Sequence, residues 1–170
     1  RRCQWQSEGI VKLRVFLIRH GETDWNRQEK LQGHSNIDLN DLGRGQALAL
    51  RAMVADFGVT HVVTSDLSRA RETAALAFPS LVPQLMVDSR LREVHLGQAE
   101  GMSRHSLEAR FGSEMIRAWF STEAAHMEKR FPEGESRAEA LRRMHECIFE
   151  HITRIVSESS AMQAPVIAFV

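Results

Sequence analysis

The stretch Leu13-Arg14-Val15-Phe16-Leu17-Ile18-Arg19-His20-Gly21-Glu22-Thr23-Asp24-Trp25-Asn26 decides the fold. Its first half, LRVFLIR, is a short apolar run of strand length and reads as a mostly buried β-strand. Its second half turns abruptly polar, so a histidine stands at the carboxyl end of that strand. Three more short apolar runs follow the same plan: Thr60 to Ser65 (THVVTS), Gln84 to Asp88 (QLMVD) and Pro165 to Val170 (PVIAFV). Helical patterns lie between them. Asp41 to Phe57 has Asn40 as its cap and stops at Gly58, and Leu67 to Phe78 stops before Pro79. The longest runs from Arg137 to about Ser157, opened by a capping box of Ser136 with Glu139. Leu141, Met144, His145, Ile148, Ile152, Ile155 and Val156 recur along it at helical spacing. Strands alternating with helices of this length predict an α/β fold: a three-layer sandwich with a mostly parallel central sheet flanked by helices. In such folds the ligand site forms beyond the carboxyl ends of the strands.

The chain has 170 residues, 22 Lys and Arg against 22 Asp and Glu, 43% hydrophobic residues and two cysteines. That length suits one domain, and no repeat or Gly/Ser linker divides residues 1–170. Zero net charge gives no global pull toward nucleic acid or an anionic membrane, so neither partner is expected and any anion site must be local. The hydrophobic share excludes a wholly disordered chain. Cys3 and Cys147 form no CxxC pair, which predicts a reduced, cytoplasmic setting. Val11 to Ile18, interrupted by Lys12 and Arg14, is neither a signal peptide nor a membrane span. The sequence stops inside the apolar run Pro165 to Val170, and a continuation past Val170 is expected.

Several patterns carry no chemistry. Gly43-x-Gly45 begins like a dinucleotide fingerprint but does not follow a strand directly, and Leu48 holds the third glycine position. His145-Glu146 begins like a zincin motif, but Phe149 stands where its second histidine would be. His61, His105, His126 and His151 are isolated and read as packed or solvated, and Cys147 as a buried free thiol. No metal site and no cofactor are expected.

The strand ends are different. Arg19 and His20 follow the first strand, where Gly21 lets the backbone pass close to a bound group and Arg19 offers a planar fork for phosphate or carboxylate. Ser65-Asp66-Leu67-Ser68-Arg69 follows the second strand and puts Arg69 on the first turn of a helix, a position that attracts anions. Leu91-Arg92-Glu93 follows the third and brings a carboxyl group to the same end of the sheet.

Five segments in this order, LIRHGETDWN (Leu17 to Asn26), QGHSNIDLNDLGRGQA (Gln32 to Ala47), TSDLSRARETA (Thr64 to Ala74), LREVHLGQAEGMS (Leu91 to Ser103) and PEGES (Pro132 to Ser136), resemble the histidine phosphatase superfamily, the phosphoglycerate mutase-like proteins, over nearly the whole chain. The resemblance implies that His20 takes up a phosphoryl group as phosphohistidine, without a metal. It implies that Arg19 and Arg69 clamp the phosphate with Asn26, Gln32 and Gly33 lining the same pocket, and that Glu93 gives a proton to the leaving oxygen. The charges agree: two forked cations stabilise the equatorial oxygens and keep the imidazole neutral. The family also has a second histidine in a His-Gly pair after the last strand. No histidine here stands in that context, so none is assigned to the role, and a chain ending at Val170 is expected to bind phosphate poorly and turn over slowly.

Gly101 to Phe131 is short and lacks the basic, proline-rich insertion of the mutase branch. It reads as two helical pieces, Ser103 to Phe111 and Glu114 to Phe120, and residues 101–135 are expected to form a helical lid. Ala99 replaces a tryptophan common in the phosphatases and is expected to open the pocket or alter substrate packing; His95 resembles the mutase pattern. A phosphomonoesterase acting on a small phosphorylated substrate is favoured. The alternatives are a phosphoglycerate mutase-type phosphoryl transfer and a non-catalytic phosphate-binding relative. Substrate identity and oligomeric state have no signal in the sequence.

Overall fold

Val15 and Phe16 favour extended backbone, and the computed structural model, which describes residues 13–159 and 164–170, places the first strand, β1, at Arg14–Leu17. A four-residue helix α1 (Asp24–Arg27) follows, then α2 (Asp41–Val54), β2 (His61–Thr64), α3 (Ser68–Ala77), β3 (Met86–Val87), α4 (Arg104–Phe111), α5 (Ser113–Phe120), α6 (Arg137–Glu158) and β4 (Val166–Phe169). Cys3 and the start of the Val11–Ile18 run lie outside the described residues.

The four strands form one all-parallel sheet in the order β1-β4-β2-β3, with Ala168 opposite both Phe16 and Val62. Parallel neighbours require crossovers, and the helices supply them. The strand period of two then builds both layers. Val62 and Ala168 point to one face and pack with Val54, Ala74, Ala77 and Phe78 from the α2–α3 side. Val63, Ile167 and Phe169 point to the other and pack with Ile155, Ile148 and Ile152 of α6. A third cluster, Leu96, Ala99, Leu107, Ile116, Trp119 and Phe131, joins α4 and α5 to the loop after β3. Ala99 is 0% exposed within that cluster, so it fills a core beneath α4 and α5 rather than opening the pocket.

Two sequence expectations need correction. Among the described residues β1 is an edge strand, not a mostly buried one, with Leu17 74% and Val15 38% exposed. The buried centre is β4, whose residues are covered on both faces. An apolar run reveals composition but not which strand inserts beside it. The buried face of α6 is also rotated: Ala140, Cys147, His151 and Ile155 are buried, while Leu141 and His145 are exposed. α2 ends at Val54, and the expected helix finishes as a 3₁₀ turn, Ala55–Phe57, before left-handed Gly58 at φ 66°. No helix among the described residues is long and apolar enough to cross a membrane.

Candidate active site

The strand ladders continue just past the strands, with Ile18 N–H donating to Phe169 O at 2.8 Å and Ser65 N–H to Val170 O at 2.9 Å. Rigid backbone therefore delivers the residues that follow each strand to one edge. Arg19, His20, Arg69 and Glu93 meet around a cavity of about 370 Å³, walled on its apolar side by Ile18, Leu91 and Met144.

The His20 ring is oriented by its own backbone, with Nδ1 2.7 Å from Gly21 O. A carbonyl only accepts, so Nδ1 carries the proton and Nε2 keeps its lone pair. Burial pushes the His20 pKa down; the Gly21 carbonyl opposes this, and the Arg69 and Arg19 charges add to the lowering. The imidazole is biased toward its neutral form, with Nε2 unpartnered among the described residues.

Gly21 serves a different purpose from the expected one. A Cβ there would lie 2.4 Å from Gly43 O, so the residue it makes room for is the α2 backbone, not a bound group. Its N–H donates to Thr73 Oγ1 at 3.0 Å, tying the His20 loop to α3.

Arg69 is 1% exposed. Its Nη1 donates to Ser35 O and its Nη2 to Gly33 O, both at 2.8 Å, and Nη2 lies 3.4 Å from Glu93 Oε2. The guanidinium is fixed by main chain before any ligand arrives. Arg19 is exposed. Glu93 keeps 46% of its side-chain surface open, and crowding around its carboxyl group raises its pKa against the opposing Arg69 and Arg19 charges, with Glu100 adding to the rise. Glu93 also lines the cavity, so a bound anion that excludes solvent from its carboxyl group pushes in the same direction.

The other three expected residues stand outside this cavity. Asn26 lines an adjoining cavity of about 290 Å³ with Arg19, His20, Glu22 and Gln46, and its Oδ1 accepts from Thr23 N–H at 3.1 Å. Gln32 is 4% exposed and accepts from Thr23 Oγ1 at 2.7 Å. Gly33, at φ 52°, turns its carbonyl toward Arg69. Gln32 and Gly33 support the site from behind.

Sequence reasoning missed three braces. Glu100 accepts from His34 N–H at 2.8 Å and Ser35 Oγ at 2.5 Å, fixing the carbonyls that hold Arg69. Arg92 forks onto Asp66, joining the Glu93 loop to the start of α3. Asp88, Cys147 and His151 bring ligand atoms within 4.8 Å of one another. However, Arg90 Nη2 holds Asp88 Oδ2 at 2.8 Å, and Arg154 lies 3.1 Å from His151 Nδ1. With the acceptors taken by arginines, this cluster is a polar brace between β3 and α6. Only the Cys147–His151 i, i+4 spacing was visible in the sequence; the others pair residues far apart in the chain.

The sequence profile of the histidine phosphatase superfamily (branch 1) matches residues 15–162. The probable phosphoglycerate mutase GpmB of Yersinia pestis (strain Pestoides F) is 38% identical over 136 residues, 78% of this chain and 60% of the relative. The chain thus spans about 60% of the length of the curated relatives it matches. Among solved structures, a mycobacterial glucosyl-3-phosphoglycerate phosphatase in complex with VO3 is similar at 29% identity and a TM-score of 0.74, over 91% of this chain and 73% of that one. The alpha-ribazole phosphatase of Shigella flexneri, at 23% identity and a TM-score of 0.74 over 91% and 72% of the two chains, shares the fold.

Proposed function

The chain belongs to the histidine phosphatase superfamily (branch 1), and from that premise we propose that it hydrolyses a small phosphate monoester through a phosphohistidine on His20. The observation that carries this reading is the convergence of His20, Arg19, Arg69 and Glu93 on one cavity of about 370 Å³. In the first step the Nε2 lone pair attacks phosphorus, the ester P–O bond breaks, and the Glu93 carboxyl proton passes to the leaving oxygen. In the second, water attacks the phosphohistidine, Glu93 carboxylate takes its proton, and the P–N bond breaks to release phosphate and neutral His20. Arg19 and Arg69 supply the positive charge that the equatorial oxygens need, so the step invokes no metal.

Hydrolysis is favoured over transfer to a second substrate by the cavity wall. Arg19 and Arg69 are its cations, and Leu91 and Met144 offer nothing to a further anionic group. Phosphoglycerate mutase-type transfer is the second reading, supported by the name of the 38% identical relative. Residues 101–135, whose α4 and α5 rest on Leu96 and Ala99 just past Glu93, are assigned as a cover that selects the substrate.

The test is a ³²P-labelled aryl phosphate. Acid-labile label should appear on His20, vanish in His20→Ala and chase into inorganic phosphate. Unimpaired hydrolysis by His20→Ala would overturn the reading, and a chase onto phosphoglycerate in preference to water would favour the mutase.

A further inference from the structure

Glu93 has a weak hold on its own position. Among the described residues the partner of its carboxyl group is Arg69, at 3.4 Å. Where that carboxyl sits is therefore decided by the main chain beneath it, which His34 Nε2 touches at Glu93 O (2.9 Å) and the Arg92–Asp66 pair ties to α3, and which one side chain on α6 holds at three carbonyls. Arg143 Nη1 donates to Arg90 O at 2.7 Å and to Arg92 O at 2.6 Å, and Nη2 donates to Glu93 O at 2.7 Å. Nε donates to Glu135 Oε2 at 3.0 Å, and Nη2 also reaches Glu135 Oε1. All five N–H donors of the guanidinium are thus committed, three of them to carbonyls within four residues of the loop. Glu135 carries the hold around the far side of Glu93, accepting from His95 N–H at 2.7 Å while its own N–H donates to His95 O at 2.9 Å.

We propose that Arg143 is a positioning residue that holds the Glu93 loop so that the carboxyl reaches the leaving oxygen. This rests on Glu93 being the proton donor. A planar fork spanning three carbonyls and a carboxylate cannot be reproduced by the single nitrogen of lysine, so Arg143→Lys keeps the charge and loses the geometry.

The test uses leaving groups. A dinitrophenolate departs without a proton, whereas an alkoxide needs one, so general-acid help, worth about 10²- to 10⁴-fold, appears on an alkyl phosphate and fades on 2,4-dinitrophenyl phosphate. Glu93→Gln calibrates the method. For Arg143→Lys we expect kcat/KM, which reports only the steps up to formation of the phosphohistidine, to fall by roughly 10- to 100-fold on the alkyl ester and far less on the dinitrophenyl ester, because only the acid's share of that step is lost. Equal losses on both esters would mean general damage to the fold, and no loss on either would mean no role; each overturns the proposal. If Glu93→Gln shows no leaving-group dependence, the assignment of Glu93 fails instead; if the wild type turns over neither ester, the proposed hydrolysis fails, and this inference with it.

A second measurement needs no turnover. The ¹³C-carboxyl titration of Glu93 should move down toward the ordinary glutamate range in Arg143→Lys, as the loosened loop lets the carboxyl into solvent. An unmoved midpoint overturns the positioning role.

Discussion

His20 and Glu93 are shifted toward each other, and this sets the pH behaviour of the site. The imidazole lies below its usual 6.5, so it stays neutral into mildly acid solution; the carboxyl lies above its usual 4.5, so it keeps its proton to higher pH. Protonation of His20 removes the nucleophile on the acid limb, and deprotonation of Glu93 removes the acid on the alkaline limb. kcat/KM should therefore be bell-shaped with its maximum below neutrality. Arg19 lowers both pKa values. It disfavours imidazolium and favours carboxylate, so Arg19→Gln should move both limbs to higher pH, whatever it does to the height of the curve. A profile that moves at one limb only, or moves down, contradicts the shared role of Arg19. At this scale the residues that follow the strands were legible, because a strand's end fixes what comes next. The place of Gln32 and Gly33 outside the cavity of Arg69 and Glu93 was not, because support from behind and contact with a ligand leave the same trace in a sequence.

The long helix α6 shows what an element owes to local chemistry and what it owes to its neighbours. Its start was legible from Ser136 and Glu139 alone: Ser136 Oγ accepts from Glu139 N–H at 3.2 Å, and Glu139 Oε2 accepts from Ser136 N–H at 2.8 Å. Ser136 is 0% exposed, so Ser136→Ala loses the cap without solvent to replace it and should cost about 1–2 kcal/mol, read as a lower urea midpoint. The facing of α6 was not legible, because the sheet decides which side it covers. Cys147 and His151 are turned inward against Asp88. Burial there, with the Asp88 carboxylate beside it, pushes the Cys147 thiol up to about 12. Peptide mapping after iodoacetamide at neutral pH should find Cys147 unmodified in the folded protein and alkylated in denaturant. Modification at equal rates in both would show that the brace opens readily. Arg143 lies on the same helix and was equally hidden: its hydrogen bonds join positions between 8 and 53 residues away, a relation that only the assembled layers create.

On the scale of the whole molecule, the site belongs to no single element. His20 comes from the end of β1, Arg69 from the helix after β2 and Glu93 from the loop after β3, and β4, last in the chain, is the strand that holds β1 and β2 in one sheet. The order of strands in space could not be inferred from their order in sequence, whereas their common parallel edge could. A phosphate-like anion bound between three crossovers has no counterpart in the unfolded chain, so it must stabilise the fold, by about 2.7 kcal/mol at 100 times its Kd. For a chain of this size that is a rise in Tm of roughly 5–10 °C, measurable with inorganic phosphate or orthovanadate. The zero net charge leaves no net monopole to draw an anion in, and the local attraction originates at Arg19 and Arg69. Arg69 cannot be changed without freeing the Gly33 and Ser35 carbonyls, but Arg19 is exposed, and Arg19→Gln should leave the ligand-free Tm unchanged while shrinking the ligand-induced rise severalfold. Equal rises in wild type and variant would place the anion elsewhere on the molecule, and no rise in the wild type would mean that the three crossovers do not form an anion site at all.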